Sequence, residues 1–91
     1  MKLLHRAKLI GVIKNIGPDE MGLAGSIELL PAAEPFKPLF DFLIDEERNH
    51  QEPPFSEEIL EGWSIEDEHG VDRPIFAPAI DNNYTTIEWR W

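Results

Sequence analysis

Three histidines, eighteen carboxylates and three serines are the side chains of this sequence that could do chemistry, and their spacing decides little of it. His5, His50 and His69 are scattered, and no two sit four apart as ligands on one helical face would. All three read as surface histidines rather than a metal set. The run Glu66-Asp67-Glu68-His69-Gly70-Val71-Asp72 offers hard oxygen ligands beside a glycine, but it lacks the 1-3-5-12 spacing of a calcium loop and reads as a solvated turn. Ser26, Ser56 and Ser64 lie outside any nucleophile-elbow setting, and Ser56 is placed to cap a helix. The stretch from Gly22 to Ser26 has neither the lysine of a phosphate loop nor dinucleotide spacing. With so many acids, paired carboxylates arise by chance and carry no weight. No catalytic, cofactor-binding or metal-ligating residue follows, and no cofactor is expected.

Charge says more. Lys2, Arg6, Lys8 and Lys14 all precede the first acid, Asp19; from there on eighteen acids face only Lys37, Arg48, Arg73 and Arg90, for a net charge of −10. Such a surface repels phosphate backbones, so nucleic-acid binding is disfavoured, whereas a basic protein would be attracted and steered. The plainer reading is solubility alone. Trp63, Trp89, Trp91, Tyr84 and five phenylalanines could stack on bases, but without basic residues among them the electrostatic part of that mechanism is missing. Most belong in a core. A tryptophan at the end of the sequence is hard to bury, so Trp91 joins Glu57, Glu58, Glu66, Asp67 and Glu68 as a candidate partner-binding residue.

The elements that must position these groups follow from periodicity. Residues 31–48 have helical character, starting at Lys37-Pro38, because proline fits a first turn where its missing N–H has no partner. Phe36, Leu39, Phe40, Leu43 and Ile44 form its apolar stripe, with Asp41, Asp45 and Arg48 turned away. Residues 9–15 read as a strand, with Gly11 marking a bulge or close approach. Residues 17–22 form a turn and residues 23–30 a half-buried strand, completing an N-terminal hairpin. Residues 49–54 read as a polar connector, followed by a short helix capped by the Ser56 hydroxyl and stopped by Gly62. Residues 63–67 read as a strand. At the end, Asn82-Asn83 reads as a two-residue hairpin loop, setting Ile80 against Thr85, Pro78 against Ile87, Phe76 against Trp89 and Pro74 against Trp91. Residues 73–80 would then be an edge strand blocked by its prolines, and residues 84–91 an interior strand docked on the helix.

The expectation is one α+β domain, residues 1–91, with an antiparallel sheet of about five strands, a hairpin at each end, one main helix and a second short one. With 91 residues the core must be thin. The absence of cysteine rules out disulfides and thiolate metal sites and suits a reducing, cytoplasmic setting. No apolar run is long enough to span a membrane, and Lys8 and Lys14 interrupt what would be the apolar core of a signal peptide.

Asp19, Gly25, Ile27, Glu28, Pro31, Ala32 and Glu34, followed by Lys37-Pro38-Leu39-Phe40 and the closing Ile87-Glu88-Trp89-Arg90-Trp91, carry a resemblance. The chain resembles a family of small uncharacterised bacterial proteins with a strand, a proline-rich lead, a basic-Pro-Leu-Phe helix start and a Trp-rich final strand in this order. The likeness spans most of the chain, with Gly22 and Ala33 standing where relatives would carry a bulky aromatic residue. It implies a stand-alone α+β domain in a bacterial cytoplasm and transfers no catalytic residue. The leading functional expectation is a non-enzymatic interaction domain of inhibitor or immunity type meeting a basic protein. The alternatives are a small enzyme or ligand binder with a carboxylate-lined pocket, and a homodimer joined through a sheet face.

Overall fold

The chain reverses first where no turn-forming residue announces it. Strands β1 (Lys2–His5) and β2 (Lys8–Asp19) are joined by Arg6 and Ala7, at φ +50° and +68°. Two consecutive left-handed residues match the twist of a two-residue hairpin, a geometry for which Asn and Gly are the usual choices. The Arg6 N–H donates to the Gly62 carbonyl at 2.8 Å, which helps hold the strained pair. In this computed structural model, which describes residues 1–19, 22–48 and 51–91, β1 is thus a strand to which the sequence pattern, read as a strand over residues 9–15 only, gave no element.

β2 pairs with β1 through a bulge, since Leu3 faces Gly11 while Leu4 faces Leu9 and Ile10 is the extra residue. A second irregularity lies between Lys14 and Gly17, with Asn15 at φ +56° and its amide donating to Ser26 Oγ at 2.9 Å. β2 therefore runs beyond the expected end at residue 15. Asp19 pairs with Gly22, the first residue of β3 (Gly22–Leu29). Glu20 and Met21 of the expected turn lie outside the described residues. A side chain at Gly22 would overlap the Trp89 carbonyl oxygen, and Ala33 is fully buried. Neither position has room for the aromatic residue expected in relatives.

After β3, residues Pro31–Phe36 form a 3-10 helix leading into α1, Lys37–Ile44. The start at Lys37-Pro38 is as expected, but α1 ends well short of residue 48. Asp45 stops it: its carboxylate accepts from the N–H groups of Glu47 at 3.0 Å and Arg48 at 3.3 Å and pairs with the Arg48 guanidinium at 3.0 Å. A local side-chain acceptor here replaces the next helical turn. Phe42, absent from the expected stripe, is buried on another face against the Phe55 ring, with centroids 5.7 Å apart. Asn49 and His50, part of the expected connector, lie outside the described residues. α2 is the single turn Glu57–Leu60; Ser56 sits at its N-cap, but its hydroxyl makes no cap hydrogen bond, and Gly62 at φ +87° follows its end. Because Ser56 is exposed, water can take the place of that cap.

Four more strands complete the sheet: β4 (Trp63–Glu66), β5 (Asp72–Pro74), β6 (Ala79–Ile80) and β7 (Thr86–Trp89). Among the described residues seven antiparallel strands run in the order β5-β4-β1-β2-β3-β7-β6, rather than about five. The expected strand over residues 73–80 is split, with β5 and β6 on opposite edges of the sheet. Five peptide steps from Pro74 to Ala79 reach at most about 18 Å. Seven flat strands would span roughly 29 Å. The sheet must therefore curl toward an open barrel, with residues 75–78 crossing the seam. Each edge keeps one proline, Pro74 in β5 and Pro78 just before β6, so the expected blocking is shared between two short edges.

The C-terminal hairpin differs from expectation by two residues, with Ile80 facing Ile87 and Ala79 facing Glu88. Asp81 is the cause. Its carboxylate accepts from Thr85 N at 2.7 Å, Thr86 N at 3.0 Å and Thr85 Oγ at 3.1 Å, and its carbonyl accepts from Tyr84 N at 3.0 Å. This widens the loop beyond Asn82-Asn83 and holds Tyr84 at φ +59°. β7 is interior, between β3 and β6, as expected. Inside the curl, Leu3, Ile10, Ile13, Ile65, Ile80 and Ile87 are essentially inaccessible, and Leu39 and Phe40 of α1 belong to the same cluster. Burying such a side chain contributes about 1.5–3 kcal/mol, so this cluster holds the sheet closed around the helix.

Candidate functional site

The acidic run forms a tight turn between β4 and β5, with Glu66 directly opposite Asp72. Asp67 organises it, since its carboxylate accepts from His69 N at 2.8 Å and Val71 N at 3.0 Å, while its own N–H donates to the Val71 carbonyl at 2.9 Å. The Val71 N–H, then the His69 N–H and the charges of His69 and Arg73, hold the Asp67 carboxyl below the usual carboxylate range. Asp67 is thus a fixed anion serving its own turn. Glu66 and Glu68 are not tied in this way. With Lys2 and Val12 they border an open hollow of about 360 Å³, and Lys2 faces Glu66 across the β1–β4 pair. Among the described residues none of these acids is in an ion pair; the two ion pairs found are Lys37–Glu34 and Arg48–Asp45.

β4 separates the other two acidic candidates from this turn. Glu57 and Glu58 lie on α2, before the first residue of β4, whereas Asp67 and Glu68 follow its last. Both glutamates are exposed, and the Glu58 carbonyl accepts from Arg6 Nε at 3.1 Å. The five candidate acids therefore fall at the two ends of β4.

Trp91 is 47% exposed, packed edge-on against Trp89 with centroids 6.3 Å apart. The Arg73 guanidinium lies 5.3 Å from the Trp91 ring centre, and the Arg90 guanidinium 5.8 Å from that of Phe76, which is 68% exposed. The expectation that no basic residues accompany the aromatics is therefore corrected. Arg73 is on β5 at one sheet edge and Trp91 follows β7 near the other; curling brings them together across the seam. No local pattern could have revealed this pair, although Arg90 between two tryptophans was a signal in plain view.

His5 departs most from expectation. It is buried, 8% exposed, because strand alternation turns it inward beside Trp63; its ring centre lies 4.7 Å from that of Trp63 and 4.6 Å from that of Phe36. Its Nε2 has no hydrogen-bond partner among the described residues. His69 is exposed in the acidic turn, and His50 lies outside the described residues. Among the described residues no three His, Asp or Glu side chains gather as a metal set, and Ser26 Oγ donates to the Lys14 carbonyl rather than to a base. A further link ties the last loop to α1: Tyr84 Oη donates to Asp41 at 2.9 Å, which raises the phenol above its usual pKa. No helix among the described residues is long and apolar enough to cross a membrane.

No protein-family model matches the chain, and no curated protein or solved structure matches it.

Proposed function

We propose that this chain is a non-enzymatic protein-interaction module, of inhibitor or immunity type, whose acidic surface docks a basic protein in a bacterial cytoplasm, and that it belongs to the family its motifs resemble. The observation that carries this reading is the β4–β5 turn, where Glu66 and Glu68 flank a backbone-fixed Asp67 carboxylate and none of the three is in an ion pair among the described residues. A rigid anion between two adaptable ones on a chain of net charge −10 steers and orients a cationic surface. Glu57 and Glu58 on α2 would extend the acidic field. Phosphate backbones are repelled by the same field, and no cofactor enters the reading. The chain would act as a monomer or a homodimer.

The alternative is a ligand binder using the hollow beside Glu66 and Glu68. The carboxyl there with a shifted pKa, Asp67, owes the shift first to the Val71 N–H of its own turn and is held ionised rather than poised to exchange a proton, which favours docking over acid–base chemistry. The test is to capture the basic partner on the immobilised chain and follow its association by stopped flow. Between low and high salt the rate should fall about ten-fold or more, and Glu66→Gln/Glu68→Gln should slow it at low salt. A salt-independent rate, or a rate unchanged in the double variant, would sink the reading.

A further inference from the structure

The seam of the sheet presents a second surface with chemistry opposite to that of the acidic turn. Phe76 and Trp91 are exposed there at 68% and 47%, each with an arginine over its ring, Arg90 and Arg73 respectively. Eighteen acids against eight bases make a carboxylate the statistically available partner for any arginine in this chain. Yet among the described residues neither Arg73 nor Arg90 makes an ion pair or a side-chain hydrogen bond. Among the described residues their N–H donors are therefore uncommitted, and an arginine held on an aromatic ring loses less side-chain freedom when a carboxylate arrives. Trp and Arg are also the residue types that dominate interface energetics when they sit together.

We propose that this patch docks an acidic segment of a partner protein in which carboxylates alternate with apolar side chains, the carboxylates meeting the Arg73 and Arg90 forks and the apolar groups covering Trp91 and Phe76. The charge of the rest of the chain selects the occupant. A polyanion such as single-stranded nucleic acid would be repelled along its length by a net −10 surface, and a second copy would bring two such surfaces together, whereas a short segment with a few carboxylates can meet the two arginines while covering little of the acidic surface. The proposal is independent of the basic partner above. Together the two surfaces would let one small chain join partners of opposite charge.

The test uses the full chain, labelled, on an array of octapeptides in three compositions: Asp/Glu with Leu/Phe, Lys/Arg with Leu/Phe, and Ser/Thr with Leu/Phe, alongside a thymidine oligonucleotide. The acidic set should bind about ten-fold or more tightly than the neutral set, since two charge-assisted hydrogen bonds are at stake. Arg73→Gln/Arg90→Gln should abolish that preference, and Arg73→Lys/Arg90→Lys should keep part of it. Glu66→Gln/Glu68→Gln should leave it intact, which separates this site from the acidic turn. Because Arg73 also spans the seam, thermal melts of each variant accompany the array, and if the Gln variant is unfolded, the Lys variant and Trp91→Leu carry the test. Three results would overturn the proposal: no acidic preference in the wild-type chain, a preference that survives a folded Gln or Trp91→Leu variant, or tighter binding of the oligonucleotide than of the acidic peptides. Sedimentation of the wild-type chain as a dimer that Arg73→Lys/Arg90→Lys disperses would also overturn it, in favour of a second copy.

Discussion

A chain without cysteine makes the register of the C-terminal hairpin directly testable by cross-linking. Ala79 faces Glu88 at the sheet edge, with Ala79 half-buried and Glu88 exposed, so cysteines there need displace no core side chain. Directly opposed residues have Cα atoms about 4.5–5.5 Å apart, inside the range a disulfide spans. Had Asn82-Asn83 been the whole loop, residue 79 would oppose residue 86, and residues 79 and 88 would be diagonal neighbours, roughly 7–8 Å apart and outside easy bridging range. Ala79→Cys/Glu88→Cys should therefore oxidise readily in air, whereas Ala79→Cys/Thr86→Cys should stay reduced. Closing a loop of about ten residues removes denatured-state entropy worth roughly 2.7 kcal/mol at 25 °C. For a domain of this size that is a rise in Tm of about 10–20 °C, reversed by reductant, with any strain reducing it. Mass spectrometry of the oxidised protein and paired melts with and without reductant read both quantities. Oxidation of the 79/86 variant in preference to the 79/88 variant would refute the register, and with it the role given to Asp81.

Two further outcomes follow from buried and capping groups. Asp81 has its carboxyl held low, first by the Thr86 N–H and also by the Thr85 N–H and hydroxyl, so its folded-state pKa lies below the unfolded value near 4. Its contribution is then present above about pH 4 and lost as pH falls through the depressed folded value; Asp81→Ala should lower Tm at pH 7 by an amount that shrinks as pH is taken progressively below 4, and a deficit that does not change with pH would contradict the linkage. His5 leaves Nε2 unpaired between two rings, so His5→Phe should match or exceed wild-type stability, by up to about 1 kcal/mol, while His5→Asn should cost roughly 1–3 kcal/mol. Urea midpoints separate these, and a Phe variant less stable than the Asn variant would show that Nε2 is satisfied in solution.

What could be read from the sequence was what short-range physics controls. Proline in a first turn placed the start of α1, and alternation over residues 23–30 placed β3, because both depend on neighbours along the chain. The acidic run was legible as a turn for the same reason, since Asp67 bonds to N–H groups within its own loop. Three features were not legible because a specific contact overrode the pattern. Arg6 and Ala7 carry no turn signature, yet the Gly62 carbonyl from a distant segment supports their reversal. Asp81 reset a register that Asn82-Asn83 alone would have set otherwise. The pairing of Arg73 with Trp91 exists only once the sheet has curled, so half of the seam surface belonged to no stretch of sequence.

The order of the strands also governs how the chain can be made. β1, β2 and β3 are consecutive and pair locally, but β1 must wait for β4 and β3 must wait for β7, each about sixty residues later. Contacts of such separation slow folding, because the closure entropy of the intervening chain is lost before the pairing returns it. During synthesis the N-terminal meander is therefore a three-stranded sheet with both sides open, and its own edges carry no proline within β1 or β3 to deter a neighbouring nascent chain. The proline-guarded edges, β5 and β6, come later in the chain than this meander, so the period before residues 86–89 emerge is when this sheet is most exposed to pairing with the wrong strand.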